Sequence, residues 1–410
     1  MNSNPRGVQT PPRPPAPNKA PQKRQASPTP HPLASVSAGF WVTLVVTVIL
    51  LASMLVAMTV MLCIANEPNV PANEPSSGGQ TNTDDNKNNN GTLPSPTRVV
   101  KTGISLPSAT KAGTYAYPTA TATDISGDSG LVSSAAALVD VTSGRAVATK
   151  NGSTKIYPAS MTKVMTLLVA CENATDPTAL LTVTDEMVAK YASTEGASVA
   201  MTWQAGYQVT VEDALYMVIY ESDTYACWLL ADHIAGSEAA FVQKMNQRAS
   251  SLGLTGTHFE NSTGLFHNNH YTTCFDMAAI MAVAMNNEAA TKVLTAKQQY
   301  MADIYIGGVK NSSLGVPMWS GWYTGRLEQY PYGAAAPKYA GNGSDIELIA
   351  GKTGYETIPM NCFVTAGKNT ETGTLFVCVQ VGRIQNTDVG VNAKTSTDDT
   401  REIYQRYATY

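Results

Sequence analysis

Charge is scarce in this chain. Of 410 residues only 14% are Asp, Glu, Lys or Arg, against about a quarter in an ordinary soluble domain, so something uncharged and non-globular dilutes the count. An excess of positive charge is missing as well: 27 basic and 31 acidic residues give a formal net charge of −4, which argues against nucleic acid as a partner. Cysteine is sparse, six in all and without dense regular spacing, which excludes a small scaffold built on disulfides. Five of them, Cys171, Cys227, Cys274, Cys362 and Cys378, lie beyond residue 65, an odd number that cannot all pair. Cys362 and Cys378 fall on consecutive predicted strands and could face each other; the plainer reading of all five is small buried side chains. No internal repeat is visible.

The chain is segmented. Residues 1–37 hold ten of the 23 prolines, five basic residues and no acid, a composition that cannot bury enough apolar surface to order itself, so a disordered tail is expected. Ala38 to Ala65 is an uncharged run of 28 residues, long enough to cross a hydrocarbon core that needs roughly 20. The apolar region of a cleaved leader is usually about 7 to 15 residues, so an uncleaved anchor is expected, with a signal peptide as the competing reading. Leu62 is too large a residue before Cys63 for lipoprotein processing. Basic residues precede the run and the first charges after it are Glu67 and Glu74. The positive-inside rule then places the N-terminus in the cytoplasm and all that follows outside. Residues 66–100, rich in Asn, Pro, Gly and Ser, read as a flexible linker. Residues 101–410, with 20 basic and 27 acidic side chains, are expected to form a mildly acidic extracytoplasmic domain.

Within that domain, Ala135–Val139 and Arg145–Ala148 read as a hairpin turned at Thr142-Ser143-Gly144. After Pro158, apolar residues at Met161, Val164, Met165, Leu168 and Val169 keep helical spacing. Further helices are expected over Thr210–Ile219, Tyr225–Ala235, Glu238–Leu252 and Asp276–Met285, with Met277, Met281 and Met285 on a core face. Glu347–Lys352, Asn361–Ala366 and Thr374–Val381 read as strands and Asp398–Tyr410 as a closing helix. A hairpin, then helices, then strands, then a helix predicts an α+β fold, an antiparallel sheet shared by first and last strands plus a helical lobe, with a cleft between. The stretch Asp303–Asp345, rich in Gly, Tyr and Pro, reads as a long loop flanking that cleft. Its Trp319, Trp322, Tyr323, Tyr330 and Tyr332 read as packing for the loop.

Three short motifs carry chemistry. In Ser160-Met161-Thr162-Lys163, positions i and i+3 of a helix share a face, so Lys163 reaches the Ser160 hydroxyl at the helix N-terminus. A partly desolvated lysine can take the serine's proton, and helix-end N–H groups favour the negative charge that develops. Ser222-Asp223-Thr224 sits at a break between helices, where a hydroxyl can relay a proton to a leaving amine. Lys352-Thr353-Gly354 lies on an expected edge strand: a positive charge, a hydroxyl and a residue with no side chain to block an extended peptide ending in a carboxylate.

The order and contexts of these motifs, with the strings VDVTSGRAVATKN, YPASMTKVMT, VTVEDALYMVIYESDTYA, HFENSTGL, HYTTCFDMA and IAGKTGYE, resemble the serine-type D-Ala-D-Ala carboxypeptidases, the low-molecular-mass penicillin-binding proteins of the S11 peptidase family. The resemblance covers roughly residues 130 to 410. It implies a β-lactamase/transpeptidase-like fold and removal of the terminal D-Ala from peptidoglycan stem peptides through a Ser160 acyl-enzyme. No cofactor or metal is implied, β-lactam antibiotics would be inhibitors, and the chain would be held in a bacterial cell membrane. The resemblance also implies Lys163 as base, Ser222 in proton relay and Lys352 with Thr353 on the terminal carboxylate. Gly354 lies beside them, and the N–H groups of Ser160 and Tyr355 form the oxyanion hole. Two departures stand out: Thr224 replaces the usual Asn of S-x-N, and Glu356 to Asn361 replace the usual continuation after K-T-G.

An endopeptidase acting on crosslinks is a close variant of this reading. A β-lactamase is a rival, disfavoured because no E-x-x-L-N-like segment follows Ser222 to supply the deacylating glutamate. A tethered protein that binds cell-wall peptides without efficient turnover is the alternative that Thr224 suggests, since a lost buried hydrogen bond costs about 1 to 3 kcal/mol. His258, His267 and His270 are close in sequence, but no carboxylate or Cys joins them at ligand spacing.

Overall fold

The computed structural model describes residues 103–109, 122–297, 299–318, 338–340, 345–356, 360–382 and 396–408. All lie in the second of the two units into which the chain divides, Met1–Asn88 and Asn89–Tyr410. The tail, apolar run and linker expected over 1–37, 38–65 and 66–100 lie outside the described residues, as do the five aromatics of the 303–345 stretch. Among the described residues no helix is long and apolar enough to cross a membrane.

The first strands are β1 (Thr123–Asp124), β2 (Ala135–Asp140) and β3 (Arg145–Lys150). The expected β2–β3 hairpin forms, its turn fixed by the Asp140 carboxylate, which accepts from the N–H groups of Thr142 (2.9 Å) and Ser143 (3.1 Å). A 3-10 turn, Ala159–Thr162, runs into α1 (Lys163–Asn173). Then come β4 (Leu180–Thr182), α2 (Asp185–Ala192), β5 (Tyr207–Thr210), α3 (Val211–Tyr220), α4 (Thr224–Ala235), α5 (Glu238–Ser251), α6 (Cys274–Asn286) and α7 (Glu288–Thr295). The chain closes with β6 (Tyr300–Ile306), β7 (Val309–Met318), β8 (Lys338–Ala340), β9 (Asp345–Glu356), β10 (Met360–Asn369), β11 (Leu375–Val381) and α8 (Ser396–Tyr407).

One seven-stranded sheet has the order β1-β3-β2-β11-β10-β9-β8. First and last strands meet as expected, β2 pairing antiparallel with β11; only β1 joins in parallel. Every residue of β2 is buried because both faces of the sheet are covered. On one side α6, buried along Cys274–Ala284, packs on β2, β10 and β11 and against α1. On the other, Ile403 and Tyr404 of α8 pack with Leu138, Phe363 and Phe376. Met277 and Met281 are in the core as expected.

The fold departs from the sequence reading in three places. A second sheet, β4-β5-β6-β7, was not anticipated. Its β4 is three residues long and β7 is largely exposed and polar, so neither carries an apolar alternation to read. The expected 303–345 loop is instead, where described, the rest of the β6–β7 hairpin, then β8 and the start of β9. Cys362 and Cys378 do not face each other: Cys362 stands opposite Val381 and Cys378 opposite Thr365, and all five described cysteines are buried and outside any disulfide.

Met281 is fully buried in the helix that covers the sheet. Met281→Ala is expected to cost about 2 to 5 kcal/mol, read as a lowered denaturation midpoint; an unchanged midpoint would show that α6 does not carry the core.

Candidate active site

Helices α2 to α7 each begin on a side-chain cap from Thr, Asp, Ser or Asn, whereas α1 has none and grows out of the 3-10 turn that carries Ser160. Ala159, just before the nucleophile, is a non-glycine at φ 48°, a strained conformation that persists only where the surroundings impose it. Lys163 opens α1 one turn later and is buried. Its Nζ lies 3.1 Å from Ser160 Oγ and donates to the Thr263 carbonyl at 2.6 Å. The expected i, i+3 pair is therefore formed and aimed.

Ser222, at the break between α3 and α4, is also at positive φ, 56°. Its Oγ accepts from Lys352 Nζ at 2.7 Å, so the second and third motifs meet although 130 residues separate them. Asp223 fixes the break: one carboxylate oxygen accepts from Ala226 N–H (2.8 Å), the other from Ala200 N–H (2.6 Å) and Trp203 Nε1–H (3.0 Å). Burial raises the Asp223 pKa, opposed by those three donors and the charge of Lys163. Thr224, expected on the cleft wall, is only 1% exposed in the first turn of α4, its N–H donated to the Ser198 carbonyl at 2.8 Å.

On β9, Lys352 is buried, and Nζ also donates to the Thr353 carbonyl at 2.8 Å. Desolvation, then the neighbouring charge of Lys163, hold its pKa well below the ordinary lysine value. Thr353 is half-buried and Tyr355 is 63% exposed. Gly354 has a different reason from the one expected. A Cβ there would stand 3.1 Å from Ser160 N and 3.3 Å from Met161 N, so the glycine makes room for the nucleophile's own backbone as well as for a ligand.

The sequence reading missed the loop that closes the site from the other side. Asn261 Oδ1 accepts from Thr263 N–H (3.2 Å), Thr263 Oγ1–H (3.0 Å) and Gly264 N–H (2.7 Å), curling the loop so that Thr263 presents its carbonyl to Lys163. Gly264, at φ 83°, presses on the carbonyl of Ala159, and a Cβ there would overlap that oxygen. Thr166 Oγ1 of α1 donates to the Ser262 carbonyl at 2.6 Å, and Glu238 Oε1 accepts from Ser262 N–H and Oγ–H. The signal was present in Asn261-Ser262-Thr263-Gly264, but nothing local says what such a turn packs on. His270, one of the three noted histidines, is buried against Thr162; His258 and His267 flank Glu260 at 3.3 and 3.8 Å. Among the described residues no group of three or more His, Cys, Asp or Glu could hold a metal ion.

Two lysine–serine pairs meet in one largely buried site, an arrangement that can activate a serine hydroxyl. A family model described as D-alanyl-D-alanine carboxypeptidase, the S11 peptidases, matches residues 121–317. Over that stretch the chain is similar to the S11 peptidases. Curated relatives include the D-alanyl-D-alanine carboxypeptidases DacF of Bacillus subtilis, 33% identical over 41% of this chain, and DacC of Escherichia coli, 37% identical over 35%. The chain spans only 43% and 37% of the length of those relatives. In fold it is similar to the Streptomyces K15 DD-transpeptidase, with a TM-score of 0.53 and 24% identity over 67% of this chain and 97% of that one. The S11 family match includes Ser160, Lys163 and Ser222 and stops before Lys352, which the sheet brings back to the site.

Gly264→Ala is expected to expel the 159–163 turn from its place and cost about 3 kcal/mol or more, whereas Gly354→Ala, with contacts of 3.1 to 3.3 Å, costs less. Thermal melting of both variants checks the order, and equal midpoints would contradict the close approach of Gly264.

Proposed function

We propose that this chain is a membrane-held D-alanyl-D-alanine carboxypeptidase that removes the terminal D-Ala of peptidoglycan stem peptides through a Ser160 acyl-enzyme. The observation that carries the reading is the pair of buried lysine–serine contacts, Lys163 with Ser160 at 3.1 Å and Lys352 with Ser222 at 2.7 Å, in a chain whose relatives bear that name.

Ser160 Oγ attacks the carbonyl carbon of the penultimate D-Ala while its proton passes to the neutral Lys163 amine, which the Thr263 carbonyl holds in place in either protonation state. The oxyanion is received by the N–H groups of Ser160 and of Tyr355, the residue after the Gly354 that packs on the Ser160 backbone. Ser222 relays the proton to the leaving amine; the C–N bond breaks, free D-Ala departs, and water hydrolyses the Ser160 ester. Lys352 and Thr353 bind the terminal carboxylate, with Thr224 supporting the same wall from within. β-Lactams, which carry a carboxylate beside a strained amide, acylate the same serine. The uncharged run 38–65, with basic residues only before it, supports a single-pass anchor with the catalytic domain outside the cell membrane.

The test uses the full chain in detergent with a fluorescent penicillin and, separately, a peptide ending in D-Ala-D-Ala. Serine-dependent labelling with released D-Ala is expected, both lost in Ser160→Ala; labelling without release would favour a binding role, and no labelling would overturn the proposal. Lys352→Ala is expected to weaken peptides with a free carboxylate on the order of 10²-fold and amidated ones far less; equal losses would remove Lys352 from its role. The same pairing has a pH signature. The carboxylate binds the protonated lysine, and burial beside Lys163 lowers the Lys352 pKa, so KM for the free acid rises as pH climbs through that lowered value. A KM flat with pH up to the ordinary lysine range would contradict it.

A further inference from the structure

We propose that His270 is a positioning residue for the Ser160–Lys163 pair, acting through the Thr162 hydroxyl that stands between them in the chain. The inference rests on the carboxypeptidase reading for its reaction, but its geometry is independent of the substrate. The Glu260 N–H donates to His270 Nδ1 at 3.2 Å, so that nitrogen carries no proton and the ring N–H is on Nε2. Nε2–H therefore donates to Thr162 Oγ1 at 2.8 Å. Thr162 is fully buried and caps no helix through its side chain; its hydroxyl meets the histidine, and Gly264 closes in beside it. Ser160 and Lys163 thus share a turn whose middle is held by a side chain 108 residues away.

The imidazole is suited to that task because it stays neutral. Burial, and after it the nearby His258, His267 and Lys163, bring its pKa down to about 3. A neutral ring orients Thr162 without adding a cation to a site that already buries Lys163 and Lys352. Nothing covalent passes through His270.

The bland alternative is that His270 only satisfies a buried polar pair, and the test separates the two. Full-length chain is measured with Thr162→Val, which keeps the shape and removes the acceptor. It is also measured with His270→Gln, whose amide can still donate to Thr162, His270→Asn, which is too short to do so, and the Thr162→Val/His270→Asn double variant. Each is treated with a fluorescent penicillin and with a fluorophosphonate, which reads serine nucleophilicity whatever the natural substrate, and each is melted. A misplaced nucleophile–base pair loses on the order of 10²-fold in the limiting acylation rate. That loss is expected for Thr162→Val and His270→Asn with the affinity before acylation unchanged, for the double variant no worse than either, and for His270→Gln within about tenfold of the parent. Acylation by Thr162→Val at the parent rate, or losses that multiply in the double variant, would overturn the positioning role. If penicillin never labels the parent but the fluorophosphonate does, with these same variant losses, positioning stands and the carboxypeptidase reading falls. A parent that neither reagent labels has no activated serine, and both readings fall.

Discussion

Two glycines far apart in the sequence grip the turn that carries Ser160, and the rest of the site depends on that grip. Gly264 lies against the Ala159 carbonyl and Gly354 against the Ser160 and Met161 nitrogens. Gly264 leaves no room for a Cβ and Gly354 only a tight fit, so three segments of backbone meet at one point. The contact forces Ala159 into the left-handed region, at a cost of about 1 to 3 kcal/mol, and that strain survives only because both neighbours are rigid. One is β9, next to the edge of the seven-stranded sheet and paired along its length with β10. The other is a loop wound around the Asn261 side chain and tied to α1 and α5 through Ser262.

Electrostatics then follow from closeness. Lys163 and Lys352 are both buried and each lies within the other's field. Two cations in a dry site are costly unless partnered, and the buried carboxylate nearby, Asp223, already spends its oxygens on three backbone and indole donors. Glu221 adds a carboxylate whose charge opposes the lowering of the Lys352 pKa, so the two lysines lie in a field of both signs. In the proposed function a peptide carboxylate adds negative charge beside Lys352 and gives it reason to hold its proton once bound.

How much of this the sequence disclosed depends on whether the information was local. Ser160 and Lys163 were legible because a helix puts i and i+3 side by side, and the meeting of β2 with β11 followed from the order of apolar segments. The motifs of Ser222 and Lys352 were both seen, but the bond between them was not, because tertiary packing makes it. The small second sheet stayed hidden because β4 and β5 are too short, and β7 too polar, to show a period of two. The Asn261–Gly264 loop and His270 were hidden for another reason. Their partners, Ala159, Lys163 and Thr162, sit about 100 residues earlier, and no spacing rule spans that distance. Gly354 was seen, yet the backbone it accommodates was not.

The departure at Thr224 is best understood from what holds its motif in place. Ser222 owes its position to its own left-handed backbone and to the Lys352 ammonium, while Asp223 ties the break to Ala200, Trp203 and Ala226. Thr224 contributes its N–H to the Ser198 carbonyl, a bond that any residue but proline can make. The residue is only 1% exposed in the first turn of α4. Replacing Asn by Thr therefore removes a polar group from the wall of the site without loosening the serine beside it. In the proposed function the placement of Ser222 is kept, and what differs is the hydrogen bonding offered to the substrate.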